Sequence, residues 1–161
     1  MLTALAAWPL VIQVHAGAAV LALLLGPFAI WRKRKDVWHR LAGMIWIVLM
    51  LVVATSAWFI HGWQLIGPFS PIHLFSLLTY YSIFQALRHV RAGRYRQHGA
   101  ALRGLYLQAL GLAGLFTLLP GRRMHQLIFG DDVVLSMSVM GLIGVGLFVM
   151  LRRKPRLNYV R

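Results

Sequence analysis

Long apolar runs separated by short basic loops set the plan of the chain. Five runs can be separated, over residues 8–31, 38–60, 71–87, 100–119 and 133–151. Each approaches the ~20 residues that carry a helix across a ~30 Å hydrocarbon core. The third is the shortest, with room to extend a turn through Arg88 and His89 into the interface. Ser70-Pro71 supplies a cap and a first-turn proline, and Asp131-Asp132 precedes the fifth run. Gly67-Pro68 and Pro120-Gly121 fall where the chain must reverse. Gly26-Pro27 lies inside the first run and predicts a bend there, because proline lacks an amide donor. The expected fold is an all-α membrane protein: a single transmembrane domain over residues 1–161, with five transmembrane helices, the first four forming an antiparallel bundle.

Charge gives the plan a direction. Fifteen of the seventeen Lys and Arg residues fall in three segments: Arg32 to Arg40, Arg88 to Arg103, and Arg152 to Arg161. Only Arg122 and Arg123 lie in the alternate set. The positive-inside bias therefore places those three segments in the cytoplasm, and an odd number of spans puts the N-terminus outside, in a bacterial cytoplasmic membrane. No Lys or Arg precedes the first apolar run, so it is read as a span and not as a cleaved signal peptide. Trp8, Trp31, Trp38, Trp58 and Trp63 cluster near span ends, as interfacial anchors do.

Composition then removes whole classes of chemistry. Hydrophobic residues make up 60% of the chain and charged ones 12%, far from a soluble balance. Asp36, Asp131 and Asp132 are the only carboxylate side chains and there is no cysteine. Paired-carboxylate hydrolysis, carboxylate metal cages and thiolate or iron–sulfur chemistry therefore have almost no raw material. The net charge of +14 is split into clusters flanking spans, which is not the continuous face that grips nucleic acid.

The seven histidines are the remaining chemical resource. His15 and His73 stand at matched depth, ~25 Å and ~22 Å from the inner basic boundary at ~1.5 Å per residue. His39 adjoins Arg40, and His98 lies between Arg96 and Arg103, so these two match near the inner side. Spans one and three thus offer an outer pair, and spans two and four an inner pair. Two imidazoles from facing helices suit the axial faces of haem iron, whereas a closed zinc site wants four ligands. Gly17 and Gly43 supply low-bulk positions near His15 and His39. Arg40, Arg96 and Arg103 are candidate partners for haem propionates, against their plainer role as positive-inside residues. A histidine at the interface is more often a wet side chain than a ligand. His15, beside Gln13 within an apolar span, is a costly group that calls for a partner. His61 and His125 read as outer-loop residues, either of which is an alternative outer ligand or substrate contact.

The stretches His39-Arg40-Leu41-Ala42-Gly43, Phe69-Ser70-Pro71-Ile72-His73 and Arg96-Gln97-His98, with Leu-Leu-Pro-Gly-Arg at 118–122, resemble an uncharacterised family of small bacterial predicted membrane proteins. The histidine layout also resembles that of two-haem transmembrane b-type cytochromes. That resemblance implies a four-helix core with haem b near each face, held by His15 with His73 and by His39 with His98, and a peripheral fifth helix. The expected function is a membrane oxidoreductase or electron carrier, moving electrons across the bilayer or between a quinol and a partner. The alternative is a non-catalytic membrane subunit or lipid-interacting protein with incidental histidines. A transporter ranks below both, for want of an inverted repeat and of intramembrane charge. Expected partners are the lipid bilayer, a quinone or redox partner protein, and further copies of the chain; nucleic acid is not among them.

Overall fold

A computed structural model describes residues 8–60 and 71–152, and all regular structure among them is helical. The helices are α1 (Leu10–Trp31), α2 (Val37–Ala57), α3 (Pro71–Arg91) and α4 (Tyr95–Leu105). They are followed by a π-helical segment (Tyr106–Leu112), α5 (Ala113–Thr117), α6 (Arg123–Phe129) and α7 (Val133–Arg152). Four stretches are long and apolar enough to cross a membrane: Leu10–Trp31, Val37–Ala57, Tyr95–Thr117 and Val133–Met150. The chain divides into two compact units between Leu110 and Gly111.

The expected third span is the helix α3, 21 residues long and extended through Arg88 and His89 to Arg91. It is missing from the four because polar groups dilute its apolar character. Those groups point inward: His73, Ser76 and Thr79 are buried with Ile83 and Ala86. Leu74, Leu77, Tyr81 and Phe84 are exposed. The buried positions recur every three to four residues, so one helical stripe is polar and interior while the outer face is apolar. This is the reverse of a soluble helix and suits lipid outside and polar contacts inside.

Helix starts and stops follow local chemistry. Asp36 caps α2, its Oδ1 accepting from the His39 amide at 3.1 Å, and Asp132 Oδ1 accepts from the Leu135 amide at 2.8 Å at the start of α7. The expected reversal at Pro120-Gly121 is a turn in which Gly121 takes φ 82°. The short turn after α3 places Gly93 at φ 70°, a region that disfavours residues with a Cβ. The fourth run begins at Tyr95, earlier than residue 100, which puts His98 in the first turn of a helix. Ser70, Gly67 and Pro68 lie outside the described residues.

The first unit packs through small residues. Ala22, Ala29 and Ile30 of α1 meet Ala42, Trp46 and Met50 of α2, Ile83 and Ala86 of α3, and Leu102, Leu105, Ala109 and Leu110 beyond. Alanines at these positions let helix backbones approach closely, which is what packing requires where lipid is as apolar as the interior.

Gly26-Pro27 lies inside the continuous helix α1, at this interface. Pro27 has no amide to give the Leu23 carbonyl, and the Tyr106 hydroxyl donates to it instead at 3.0 Å. One residue earlier, Trp46 Nε1 donates to the Ala22 carbonyl at 2.9 Å. The Tyr106 ring lies flush on Gly26, where an added Cβ would run into it, and meets Trp31 edge-on at 5.3 Å. Tyr106 opens the π-helical segment, a wider turn that often marks a functional position.

In the second unit, α6 folds back along α7. There Gly111 faces the Leu147 side chain closely, and Ser136 is the only buried position described in α7.

Candidate functional site

In the first unit His15 and His73 approach the end of α2, and His98 lies within electrostatic reach of His39; the two pairs keep the names outer and inner that the sequence expectation gives them. At the outer level, His15 Nδ1 lies 2.9 Å from Ser56 Oγ near the end of α2. The serine hydroxyl donates to the Val52 carbonyl at 2.6 Å, so the proton between serine and histidine belongs to His15 Nδ1. The tautomer so assigned from the hydrogen-bond network leaves Nε2 as the unprotonated nitrogen of the neutral ring. His73, buried on α3, packs its ring on Trp58, with centroids 5.0 Å apart. Both outer histidines therefore dock on the same short stretch of α2, from Ser56 to Trp58.

Another buried hydroxyl is also turned to its own helix, Thr79 Oγ1 donating to the Phe75 carbonyl at 2.8 Å. Such back-bonding consumes the hydroxyl proton and leaves oxygen lone pairs facing the interior.

At the inner level, His98 Nδ1 donates to the Ala86 carbonyl at 2.9 Å, joining α4 to α3. A carbonyl only accepts, so in the neutral tautomer the unprotonated nitrogen of His98 is Nε2. This is the arrangement that orients a ligating histidine: one ring nitrogen anchored to protein, the other presented. His39 lies within electrostatic reach of His98 and Lys35, and its Nδ1 is buried without a partner.

Arg103, between the buried Leu102 and Leu105, has an Nη2 that is buried and without a partner. Arg40 and Arg96 are exposed. A Cβ added at Gly17 or Gly43 meets nothing within 4 Å, so both leave open space and neither is pressed against a neighbour. A Cβ added at Gly111 would meet the Leu147 side chain, whereas one at Gly104, Gly114, Gly141 or Gly144 meets nothing within 4 Å.

The loop joining α1 and α2 carries the one ion pair among the described residues. Arg32 donates to Asp36 through Nε at 3.0 Å and Nη2 at 2.6 Å. The Arg32 guanidinium and the His39 amide hold the Asp36 carboxyl well below the usual carboxylate range. The same hydrogen bond raises Arg32. Burial, and next to it the charge of Arg103, push the Lys35 ammonium down.

His125 departs from its outer-loop reading. It is buried, and its Nε2 lies 2.9 Å from Ser136 Oγ, which itself donates to the Val133 carbonyl at 2.9 Å. His125 Nε2 is therefore the donor, and Nδ1 is buried without a partner. The flanking Arg122, Arg123 and Gln126 disguise this burial in the sequence; the signal available was Ser136 facing it from an apolar helix. His89 also has a buried Nδ1 without a partner. His61 lies outside the described residues. Among the described residues, no group of three or more His, Cys, Asp or Glu gathers as a metal cluster would.

Comparison with known proteins adds one match. The family described as "Predicted membrane protein (DUF2306)" matches residues 12–151. No curated protein and no solved structure matches the chain.

Proposed function

The chain belongs to this family of predicted membrane proteins, and we propose that it is a two-haem b-type membrane cytochrome. What supports the reading is that His15 and His73 both dock at the end of α2, on Ser56 and Trp58, while His39 lies within electrostatic reach of His98. A macrocycle that brings four nitrogens of its own would take two imidazoles from the protein, so the donor set fits haem better than zinc. His15 and His73 would hold the outer group, and His39 and His98 the inner one.

Bound haem iron supplies one-electron exchange. The chain's own part is orientation and dielectric. Ser56 and the Ala86 carbonyl fix the rings of His15 and His98 and make their free nitrogens better donors. Arg103 has a buried, unpartnered Nη2 that fits a propionate, a role the exposed Arg40 fits less well. Two redox groups at different depths divide a ~30 Å crossing into shorter steps. In this reading α3 crosses the membrane as a fifth span, the N-terminus is outside and the C-terminus cytoplasmic in a bacterial cytoplasmic membrane. The electrons come from a quinol or a redox partner protein.

The test is haem per folded chain with a reduced-minus-oxidised spectrum. The parent protein, expressed with ample haem supply, should be red and carry two haems. His15→Ala and His73→Ala should each remove the same haem, and His39→Ala and His98→Ala the other, with no further loss in the double variant of either pair. A colourless parent would replace this reading with the non-catalytic membrane subunit. Retention of two haems by all four variants would reject the ligand assignment.

A further inference from the structure

The first unit holds two cations, Lys35 and Arg103, that no ion pair among the described residues neutralises. Lys35, from the loop after α1, and Arg103, from α4, lie within electrostatic reach of each other although 68 positions separate them. Like charges brought together by a fold cost free energy unless something opposes them. The chain has only three carboxylate side chains, Asp36, Asp131 and Asp132. Asp36 is engaged on both oxygens by Arg32, and the other two precede α7 in the second unit.

Water is not the answer at Arg103, because its Nη2 has no solvent contact and no hydrogen-bond partner. The residue sits eight positions into the helix from Tyr95, or ~12 Å along a candidate span at ~1.5 Å per residue. A guanidinium at that depth is costly and ordinarily marks a partner. Lys35 points the same way: its Nζ donates one proton to the Arg32 carbonyl at 2.7 Å, and an ammonium has two more to give.

We propose that Lys35 and Arg103 form a binding site for a single oxyanion, a phosphate or a carboxylate, supplied from outside the chain. Arg103 gives the planar donor pair that matches either oxyanion, and Lys35 gives a compact charge beside it. Two sources carry this chemistry at a membrane's inner boundary, the phosphate of an anionic phospholipid and the propionate of an inner haem. The phosphate source is independent of the proposed function; the propionate source rests on it.

The experiment uses the full chain reconstituted from detergent into phosphatidylcholine bilayers with or without phosphatidylglycerol, prepared both with and without haem supply. Thermal stability, lipid retained in native mass spectrometry and the reduced-minus-oxidised spectrum are read for the parent, Lys35→Gln, Arg103→Gln and Arg103→Lys. Phosphatidylglycerol should be retained by the haem-free parent, and about tenfold more weakly by either glutamine variant, if lipid phosphate is the ligand. If propionate is the ligand, lipid composition should have no effect. Arg103→Gln should then lower haem retention and shift the spectrum, with Arg103→Lys restoring part of both. Lys35→Gln lies in an exposed loop and keeps the test valid should Arg103→Gln fold poorly. Equal lipid retention and equal haem behaviour in parent and Lys35→Gln would overturn the site. A colourless parent that still selects phosphatidylglycerol through these two residues would reject the haem reading and uphold the anion site.

Discussion

Asp36 shows how much one residue can organise in a chain so poor in acids. It caps α2, engages Arg32 and fixes the turn that delivers His39 to the inner level. Its carboxyl is more acidic in the fold than the ~4 expected of an unfolded chain. A group shifted in this direction stabilises the fold above its unfolded value, and the contribution is lost as pH falls toward the folded value. Parent and Asp36→Asn should therefore differ most in melting temperature at neutral pH, the parent being higher. The two should converge on acidification below about pH 4. Circular dichroism melts in detergent across that range measure this; curves that stay parallel down to about pH 3 would show that the carboxylate contributes nothing. The cap ahead of α7 was picked out from the sequence, at Asp131-Asp132, and the one at Asp36 was not. The ring tautomers were not legible either, because they depend on Ser56 and Ala86, partners remote in sequence.

At the scale of elements, the first unit is held by the exchange of a proline's missing bond for a distant hydroxyl. The missing bond at Pro27 was legible because proline cannot donate. That Tyr106 would satisfy the stranded Leu23 carbonyl was not, since 83 residues lie between them. The same logic explains α3: average hydropathy understates a helix whose His73, Ser76 and Thr79 face inward, because averages ignore which face a residue occupies. Tyr106→Phe should leave the carbonyl unpaired and lower stability by about 1 kcal/mol, as membrane hydrogen bonds typically contribute. Pro27→Ala supplies an amide to the same carbonyl, so Tyr106→Phe should cost markedly less in that background. A double-mutant cycle measured by reversible unfolding in detergent reads the coupling; strict additivity would mean that the tyrosine acts only through its ring. Gly26→Ala should be worse than either, by about 1–3 kcal/mol, because its Cβ meets the Tyr106 ring directly.

For the whole molecule, the open quantity is the number of crossings, and it turns on α3. If α3 crosses, the loop at Arg32–Asp36 and the turn at Ala92–Arg94 share one side of the membrane, and Asp131 lies on the other. If it does not, the turn moves to the opposite side, carrying Arg88, Arg91, Arg94 and Arg96 away from the first basic loop. The second arrangement splits the basic residues between the two faces, against the bias that orients membrane proteins. It also exposes the His73, Ser76 and Thr79 stripe of a helix whose outer face is apolar. We therefore expect α3 to cross. The chain contains no cysteine, so single cysteines report without background. Lys33→Cys, Ala92→Cys and Asp131→Cys all fall at exposed positions and should be introduced one at a time in sealed vesicles of known orientation. An impermeant maleimide should label Lys33→Cys and Ala92→Cys from the same side and Asp131→Cys from the other. Labelling of Ala92→Cys from the side opposite Lys33→Cys would reduce the count to four. It would also take the His98 end of α4 away from His39, and the inner histidine pair would fall with the fifth span.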